Sequence, residues 1–304
     1  MRIISKDLHH PDRLLMRFAL ALFLVTAGSV RIARAAEPFM LVDAPTSQEI
    51  DQARESGEGE GAADSEAELA KKLLNPVADL ISLPFQYNMA YNIGPKDATA
   101  QVLNIQPVIP IHLNQDWNLI TRTILPVVNV QSVAPGVDSM SGIGDITQSF
   151  FLSPVQPVHG WILGAGPVFL WPSGTDGLSG RKWGAGPTIV ALRQEHGWTY
   201  GILANHIWSY AGTDSTPNVN KTFLQPFLNY TFKTHTSLIL NTESTYDWVE
   251  SQWTVPINFD VQQILKIGPL PIAIQAGPTY YADGPSGGPD WGFRVALTFL
   301  FPEK

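Results

Sequence analysis

Between residues 82 and 302 the chain repeats one pattern about twelve times: a short stretch of alternating apolar and polar residues, then a turn. In residues 84–93, for example, Phe85, Tyr87, Met89, Tyr91 and Ile93 alternate with Gln86, Asn88, Ala90 and Asn92. Successive side chains of a β-strand point to opposite faces, so each such stretch has one apolar and one polar face. The pattern therefore predicts an all-β protein whose sheet separates apolar from polar surroundings.

The connections between these stretches alternate between short and long. Asn114–Asp116 and Thr234–His235 are tight, whereas Ser132–Ser141, Pro172–Lys182 and Tyr210–Lys221 are longer and rich in turn-forming residues. An even number of strands with short turns at one end and long loops at the other is typical of bacterial outer-membrane barrels. We predict a transmembrane antiparallel β-barrel of about twelve strands over residues 81–304, with a short helix before it, in the outer membrane of a Gram-negative bacterium.

Composition excludes several other classes of protein. Hydrophobic residues make up 44% of the chain, yet no stretch beyond the N-terminus approaches the roughly 20 apolar residues of a membrane-spanning helix. The chain has no cysteine, which excludes disulfides and thiolate chemistry. Its net charge of −8 opposes binding to nucleic acid, because phosphate recognition needs basic clusters.

Residues 1–35 have the organisation of a secretory signal peptide. Four basic residues precede the apolar run Phe18–Val30, and Ala33-Arg34-Ala35 has the small-x-small form that a signal peptidase requires. The alternative is an N-terminal anchor helix, for which the apolar run is too short to span a bilayer.

Two further segments precede the predicted barrel. Residues 36–63 form an acidic linker of low hydrophobicity, which we expect to be disordered. Residues 64–80 are predicted to form a short periplasmic helix. Ser65 and Glu68 have the spacing of a capping box, and Leu69, Leu73 and Leu74 share one helix face. This helix either docks at the periplasmic rim of the barrel or enters the lumen as a plug or gate.

Tryptophan and proline provide two tests of the barrel prediction. All nine tryptophans lie close to predicted strand ends, as expected for aromatic girdles at the two membrane interfaces. Five prolines lie inside predicted strands, where they cannot donate ladder hydrogen bonds, so we expect bulges or gaps there. These prolines are Pro107, Pro110, Pro126, Pro226 and Pro256.

No catalytic or metal-binding constellation is evident in the sequence. His206 and Ser209 share a strand, but their odd spacing places them on opposite faces; His235 and Ser237 share a face at a predicted periplasmic turn. A barrel phospholipase would need a serine–histidine pair at the outer rim with an orienting amide. The histidines and carboxylates lack metal-site spacing. We predict no enzymatic activity, no catalytic residues, no metal and no cofactor.

The polar phase of the strands defines the candidate lumen of the barrel. Its side chains either fill a narrow barrel by bonding to one another or line a solute path, and the charged members would set the ion preference of such a path. The charged candidates are Arg122, Glu243, Asp260 and Arg294. The neutral candidates are Asn88, Asn104, Gln106, Asn229, Asn241, Asn258 and Gln275.

Several motifs resemble a bacterial family named after the meta-pathway of phenol degradation. They are Asn75-Pro76-Val77-Ala78-Asp79-Leu80-Ile81-Ser82-Leu83-Pro84-Phe85-Gln86, Leu103–Pro110, Gly142-Ile143-Gly144-Asp145, the Gly-Ala-Gly-Pro runs at Gly164–Pro167 and Gly184–Pro187, and Phe299–Pro302. The resemblance covers about residues 68–304. It implies an outer-membrane barrel, often labelled a transporter and sometimes mislabelled neuromedin U, with a presumed role in aromatic-compound uptake and no catalytic residues.

The sequence thus predicts a channel for passive uptake of small, aromatic or apolar solutes. Its expected partners are outer-membrane lipid, the barrel-insertion machinery and the solute, and its oligomeric state is left open. One alternative is a closed structural or adhesion-type barrel without transport, and another is a soluble periplasmic β-protein.

Overall fold

The structure is a computed structural model that describes residues 67–268 and 270–302. The predicted signal peptide (1–35) and acidic linker (36–63) lie outside the described residues. A helix over residues 67–73 precedes the strands, and no helix in the described part of the chain is long and apolar enough to cross a membrane. The strands are β1 (Ile81–Ile93), β2 (Ala98–Ile105), β3 (Val108–His112), β4 (Trp117–Val130), β5 (Met140–Ile143), β6 (Ile146–Pro154), β7 (Trp161–Trp171), β8 (Lys182–Glu195), β9 (Trp198–Gly212), β10 (Asn220–Thr231), β11 (Thr236–Thr242), β12 (Ser244–Asp247), β13 (Gln252–Ile267), β14 (Leu270–Asp283) and β15 (Trp291–Phe301).

These strands form a closed antiparallel barrel of twelve spans. Three spans are each broken into two strands: β2 with β3, β5 with β6, and β11 with β12. Every span pairs with its neighbours in sequence, and β1 pairs with β15 from Ile81↔Phe301 to Tyr91↔Trp291. Closure leaves no free sheet edge, which a spanning sheet requires. The predicted fold class is confirmed.

The two faces of the wall differ as the period-2 pattern predicts. Outward residues such as Leu228 and Phe259 are 44% and 48% exposed, whereas the inward residues Asn258 and Asp260 are fully buried. All nine tryptophans are at least 36% exposed, so none lies in the core. They lie near strand ends, six toward the long loops and three toward the short turns, which confirms the two aromatic girdles. We assign the long-loop end to the outside and the other to the periplasm.

Prolines coincide with the three broken spans. Pro107 lies between β2 and β3. At the break between β5 and β6, the carbonyl oxygen of Pro126 in β4 accepts a hydrogen bond from Gly144 N at 2.8 Å. At the break between β11 and β12, the carbonyl of Pro256 in β13 lies opposite Glu243. Pro226 pairs with Ile202 of β9, but its ladder to the other neighbouring span is interrupted between Leu224↔Ser244 and Phe227↔Asn241, at the same break between β11 and β12. Pro110 remains inside a paired strand. The expectation of local gaps therefore holds for four of the five prolines.

Three further ladder gaps occur at Gly-Pro pairs, two of which end the Gly-Ala-Gly-Pro runs of the sequence. Pairing is interrupted at Gly166–Pro167, Gly186–Pro187 and Gly277–Pro278. Each glycine faces inward, and its backbone lies so close to the neighbouring strand that a Cβ would collide with a carbonyl oxygen there. The colliding carbonyls belong to Phe150, His206 and Phe259 respectively. Glycine is thus needed for close backbone approach, and the proline follows where the ladder is already interrupted.

The end of β1 departs from the predicted alternation. Asn92 adopts a left-handed conformation (φ 64°), and the pairing with β2 shifts between Ala90 and Ile93. This bulge turns Ile93 inward, where it is fully buried, although the sequence pattern placed it on the same outward face as Tyr91. One inserted residue reverses the facing of those that follow.

The outward assignment makes a direct prediction for Leu228. Leu228→Arg is expected to destabilise the folded barrel by about 2 kcal/mol, because the charge would lie on the lipid face of β10, two residues inside the periplasmic girdle at Tyr230 and Trp198. The matched control is Tyr210→Arg on β9, which lies near the outer rim at 65% exposure and should cost only about 0–1 kcal/mol. Folding titrations into lipid vesicles measure both, and equal costs would contradict the assigned membrane depth.

Candidate functional site: the barrel lumen

The structure places all eleven predicted lumen residues on the inward side of the wall. Eight of them belong to the wall formed by β10 to β15 and β1, including Glu243 in the break between β11 and β12. Asn104, Gln106 and Arg122 lie on the adjoining wall formed by β2 to β4. The polar side chains are thus concentrated on one part of the circumference.

Arg294 is the centre of an ionic network in this polar wall. Its Nη1 and Nη2 donate to Glu243 Oε1 and Oε2 at 3.1 and 2.8 Å, a two-point pairing of guanidinium and carboxylate. Its Nε donates to Asn88 Oδ1 at 2.7 Å, and Nη1 lies 4.0 Å from Asp260 Oδ2. The Arg294 side chain is 4% exposed and that of Glu243 is 11% exposed, so the pair is largely withdrawn from solvent.

Neutral side chains extend the network along β11, β13 and β14. Gln275 Nε2 donates to Asp260 Oδ2 at 2.9 Å. One step toward the outside, Asn258 Nδ2 donates to Asn241 Oδ1 at 2.9 Å, and Asn258 Oδ1 accepts from Thr279 Oγ1 at 2.7 Å. Thr279 is not among the predicted lumen residues, although it lies two positions after Gly277 on the inward phase of β14.

Arg122 belongs to a separate part of the lumen. Its Nη2 donates to Gln106 Oε1 at 2.8 Å, and Gln106 lies in the break between β2 and β3. Arg122 is within electrostatic range of Glu243 on the polar wall. Two cationic and two anionic groups therefore face the same lumen, and their formal charges cancel.

The remaining wall carries a large apolar cluster beside polar side chains such as Ser149, Thr188 and Thr199. Inward residues of β4, β6, β8, β9 and β10 pack into one buried cluster with Val77, which precedes the barrel. Its strand members are Ile120, Phe151, Val190, Leu192, Leu203 and Phe227. The lumen thus has one wall rich in hydrogen-bonding groups and another that carries a large apolar cluster.

Residues 67–80 lie inside the periplasmic mouth of the barrel. Leu69 and Ala70 of the helix pack against inward residues of three strands, Ile264, Ala273 and Leu300. The backbone carbonyl of Lys71 accepts a hydrogen bond from the inward Gln194 Nε2 at 2.7 Å. On the opposite wall, Val77 joins the apolar cluster. The segment therefore reaches across the lumen from one wall to the other.

The outer mouth is narrowed by its own loops. Val133 and Ala134, from the loop between β4 and β5, are buried against inward apolar residues of β1, β2 and β4. Leu178, from the loop between β7 and β8 (172–181), packs against the same cluster. Both ends of the lumen are thus covered by apolar side chains.

Asp145 holds the 172–181 loop in place. Its side chain is 1% exposed and accepts three hydrogen bonds from the loop: Gly174 N at 3.0 Å, Ser179 Oγ at 2.6 Å and Gly180 N at 2.7 Å. A carboxylate that accepts several backbone N–H bonds is a strong anchor. The Gly142–Asp145 motif therefore serves to fix an outer loop.

Asp145→Ala should release this loop, because three donors would lose a charged acceptor. We expect trypsin to cleave the folded variant after Arg181 and to leave the wild-type barrel intact under the same conditions. Asp176→Ala is the control, since it removes only the exposed Arg181–Asp176 ion pair (2.6 Å). Resistance of the Asp145 variant to cleavage would show that the loop is held by other contacts.

Four buried polar atoms of the lumen have no hydrogen-bond partner within the described part of the chain: Asn104 Oδ1, Asn229 Oδ1, Asp260 Oδ1 and Gln262 Nε2. Over the same residues no group of three or more His, Asp or Glu side chains could hold a metal ion. The lumen therefore offers unused hydrogen-bonding atoms next to an apolar cluster.

His206 and Ser209 are not brought together. Ser209 accepts a hydrogen bond from Val219 N at 3.0 Å, whereas His206 lies on the outward face of β9. Ser237 bonds to Thr231 Oγ1 at 2.9 Å on the inward face of β11. His206 instead has polar partners on the neighbouring strand β10, which the sequence analysis missed.

Comparison with solved structures supports the fold. An outer-membrane channel from Pseudomonas putida F1 matches with a TM-score of 0.56 and 17% identity, over 73% of this chain and 96% of that chain. The NanC porin matches at 0.45 and 10% identity (72% and 98% covered), and outer membrane phospholipase A from Escherichia coli at 0.42 and 13% (78% and 98%). No protein-family model and no curated protein matches the chain. The closed twelve-span barrel, its apolar outer band and its aromatic girdles make this chain an outer-membrane β-barrel.

Proposed function

We propose that this barrel conducts small solutes passively across the outer membrane, without bond chemistry in the lumen and without a cofactor. The observation that carries the proposal is the unlike pair of walls. A hydrogen-bonding wall centred on Arg294 lies across the barrel from a wall whose apolar cluster includes Phe151 and Leu192. Such a lumen suits solutes that have both an apolar body and a polar group.

The charge balance of the lumen supports neutral rather than strongly charged solutes. Arg122 and Arg294 are offset by Glu243 and Asp260, so no single sign of charge dominates the path. Rings of one sign are what ion-selective pores use. The resemblance to the phenol meta-pathway family supports an aromatic body for the solute. Outer-membrane lipid and the barrel-insertion machinery are the other partners that we propose.

A second candidate is a closed barrel with a structural or adhesive role. The apolar clusters at both mouths favour it, because each fills part of the path with residues of the chain itself. Under this proposal the buried ionic network would serve only to fill the lumen.

Planar-bilayer recording combined with liposome swelling separates the two candidates. We expect the channel to admit a small neutral aromatic alcohol faster than a sugar of similar mass. The pair Glu243→Gln and Asp260→Asn should shift the reversal potential toward anions, because Arg122 and Arg294 would then dominate the lumen. No conductance or swelling, in the wild type and after removal of residues 67–80, would favour the structural role.

A further inference from the structure

A second polar cluster lies on the opposite side of the wall, on the outward face of β9 and β10. His206 Nδ1 is 2.7 Å from Thr222 Oγ1, and His206 Nε2 is 2.9 Å from Asn220 Oδ1. The pairing of the two strands sets Thr222 directly opposite His206, and Asn220 lies two residues from Thr222 on the same face. A hydroxyl, an imidazole and an amide are thus linked in a row.

The hydrogen-bond partners of the imidazole are those of one neutral tautomer. Asn220 Oδ1 can only accept, so Nε2 carries the ring hydrogen. Nδ1 is then the unprotonated nitrogen and accepts the hydroxyl proton of Thr222. A neutral imidazole whose free nitrogen bonds to a hydroxyl, and whose N–H is held by a third group, is the arrangement that activates a hydroxyl nucleophile.

The cluster lies within the outer aromatic girdle. The ring centroids of Trp208 and His206 are 4.1 Å apart. Trp208 and Trp248 are 49% and 54% exposed. Trp248 Nε1 donates to Thr222 Oγ1 at 2.8 Å. Aromatic girdles mark the headgroup level of the bilayer, where the ester groups of lipids also lie. An indole N–H this close to the hydroxyl oxygen is also near the carbonyl oxygen of an ester bound there.

We propose that Thr222, His206 and Asn220 form a hydrolytic site for carboxylic esters at the outer membrane surface. This site is separate from the lumen and does not depend on transport. The sequence predicted a chain without catalytic residues. That prediction rested only on serines close to a histidine along the chain, and Thr222 is 16 positions from His206.

The reaction proceeds in two balanced steps. Thr222 Oγ adds to the ester carbonyl while its proton passes to His206 Nδ1; the imidazolium then returns that proton to the departing alcohol, which leaves an acyl-threonine. Water adds to this second ester, again giving its proton to His206. The proton returns to Thr222 Oγ as the carboxylic acid leaves. Asn220 is a positioning residue that keeps Nδ1 directed at the hydroxyl.

The test uses the full-length barrel folded in phosphatidylcholine vesicles. Two substrates are compared: the lipid itself and a soluble p-nitrophenyl ester. A fluorophosphonate probe followed by peptide mass analysis reports the nucleophile. We expect hydrolysis and labelling at residue 222 in the wild type and in Thr222→Ser, in which the hydroxyl is retained and the methyl group is removed. Hydrolysis of the soluble ester alone would identify free esters rather than lipid as the substrate.

Matched variants separate catalysis from structure. Thr222→Val keeps the shape of the side chain and should lower the rate about 100-fold or more, as should His206→Ala. Asn220→Leu should lose activity, whereas Asn220→Asp should restore it because a carboxylate accepts the same N–H. Ser209→Ala, a hydroxyl lost from the inward face of β9, should leave the rate unchanged. If neither wild type nor Thr222→Ser hydrolyses an ester or takes up the probe while folded, the three groups only satisfy one another in the membrane and the proposal is overturned.

Discussion

Deleting residues 67–80 is expected to convert a poorly conducting barrel into one with a large, stable conductance. The segment crosses the periplasmic mouth, with Ala70 buried against one wall and Val77 against the other. None of the twelve spans includes these residues, so the barrel can close without them. Planar-bilayer conductance of the wild type and the truncated barrel, each checked for folding by its heat-dependent gel mobility, measures the effect.

The absence of cysteine offers a second form of this experiment in the complete chain. Ala70→Cys and Ala273→Cys introduce two thiols into the same buried cluster, where an added oxidant can join them as a disulfide. Joining them should hold the segment in the mouth and abolish any conductance that the unlinked protein shows. Each single-cysteine variant, treated with the same reagent, is the control. Equal conductance with and without the link would mean that solutes pass the segment without displacing it.

Glu243→Gln is expected to cost about 3–5 kcal/mol of folding free energy, because it leaves Arg294 buried without its paired carboxylate. Asp260 lies 4.0 Å from the Arg294 guanidinium and cannot replace a two-point contact of 2.8 and 3.1 Å. Urea titrations of the barrel in vesicles measure the change.

The control for this substitution is Glu195→Gln at the periplasmic end of β8. Glu195 pairs with Arg193 at 2.8 Å, but their side chains are 35% and 40% exposed. Exposed ion pairs contribute about 0–1 kcal/mol, so this variant should unfold almost like the wild type. Similar costs for the two variants would show that the central pair is solvated in the folded barrel.

The fold could be predicted from the sequence because its main determinant is local. Alternation between residues such as Leu228 and Asn229 is set by the two solvents on either side of the wall, and each strand carries this signal independently. The signal failed where one residue changed the register. At Asn92 a single left-handed residue turned Ile93 inward, and nothing in the period-2 pattern distinguishes such a residue from its neighbours.

The candidate site was predictable only as a set of inward residues. Which of them bond depends on distance across the barrel: Arg294 meets Glu243 51 positions earlier, and Asn88 206 positions earlier. The His206–Thr222 pair could not be predicted for the same reason, because it depends on the register between β9 and β10. Neither the alternation nor the spacing of residues along one strand contains that information.

The pairing of β1 with β15 also determines the order in which this protein can mature. Residues 81 and 301 must meet before the wall closes, and bringing such distant segments together carries a large loop-closure entropy. The bond from Arg294 to Asn88 crosses this seam, so the central network cannot be complete in an open sheet. A barrel that stalls before its last pairing step would therefore leave Arg294 Nε without its Asn88 acceptor, although Arg294 and Glu243 lie on the same side of the seam. The network thus marks completed closure, and a newly inserted chain acquires its final lumen only at that step.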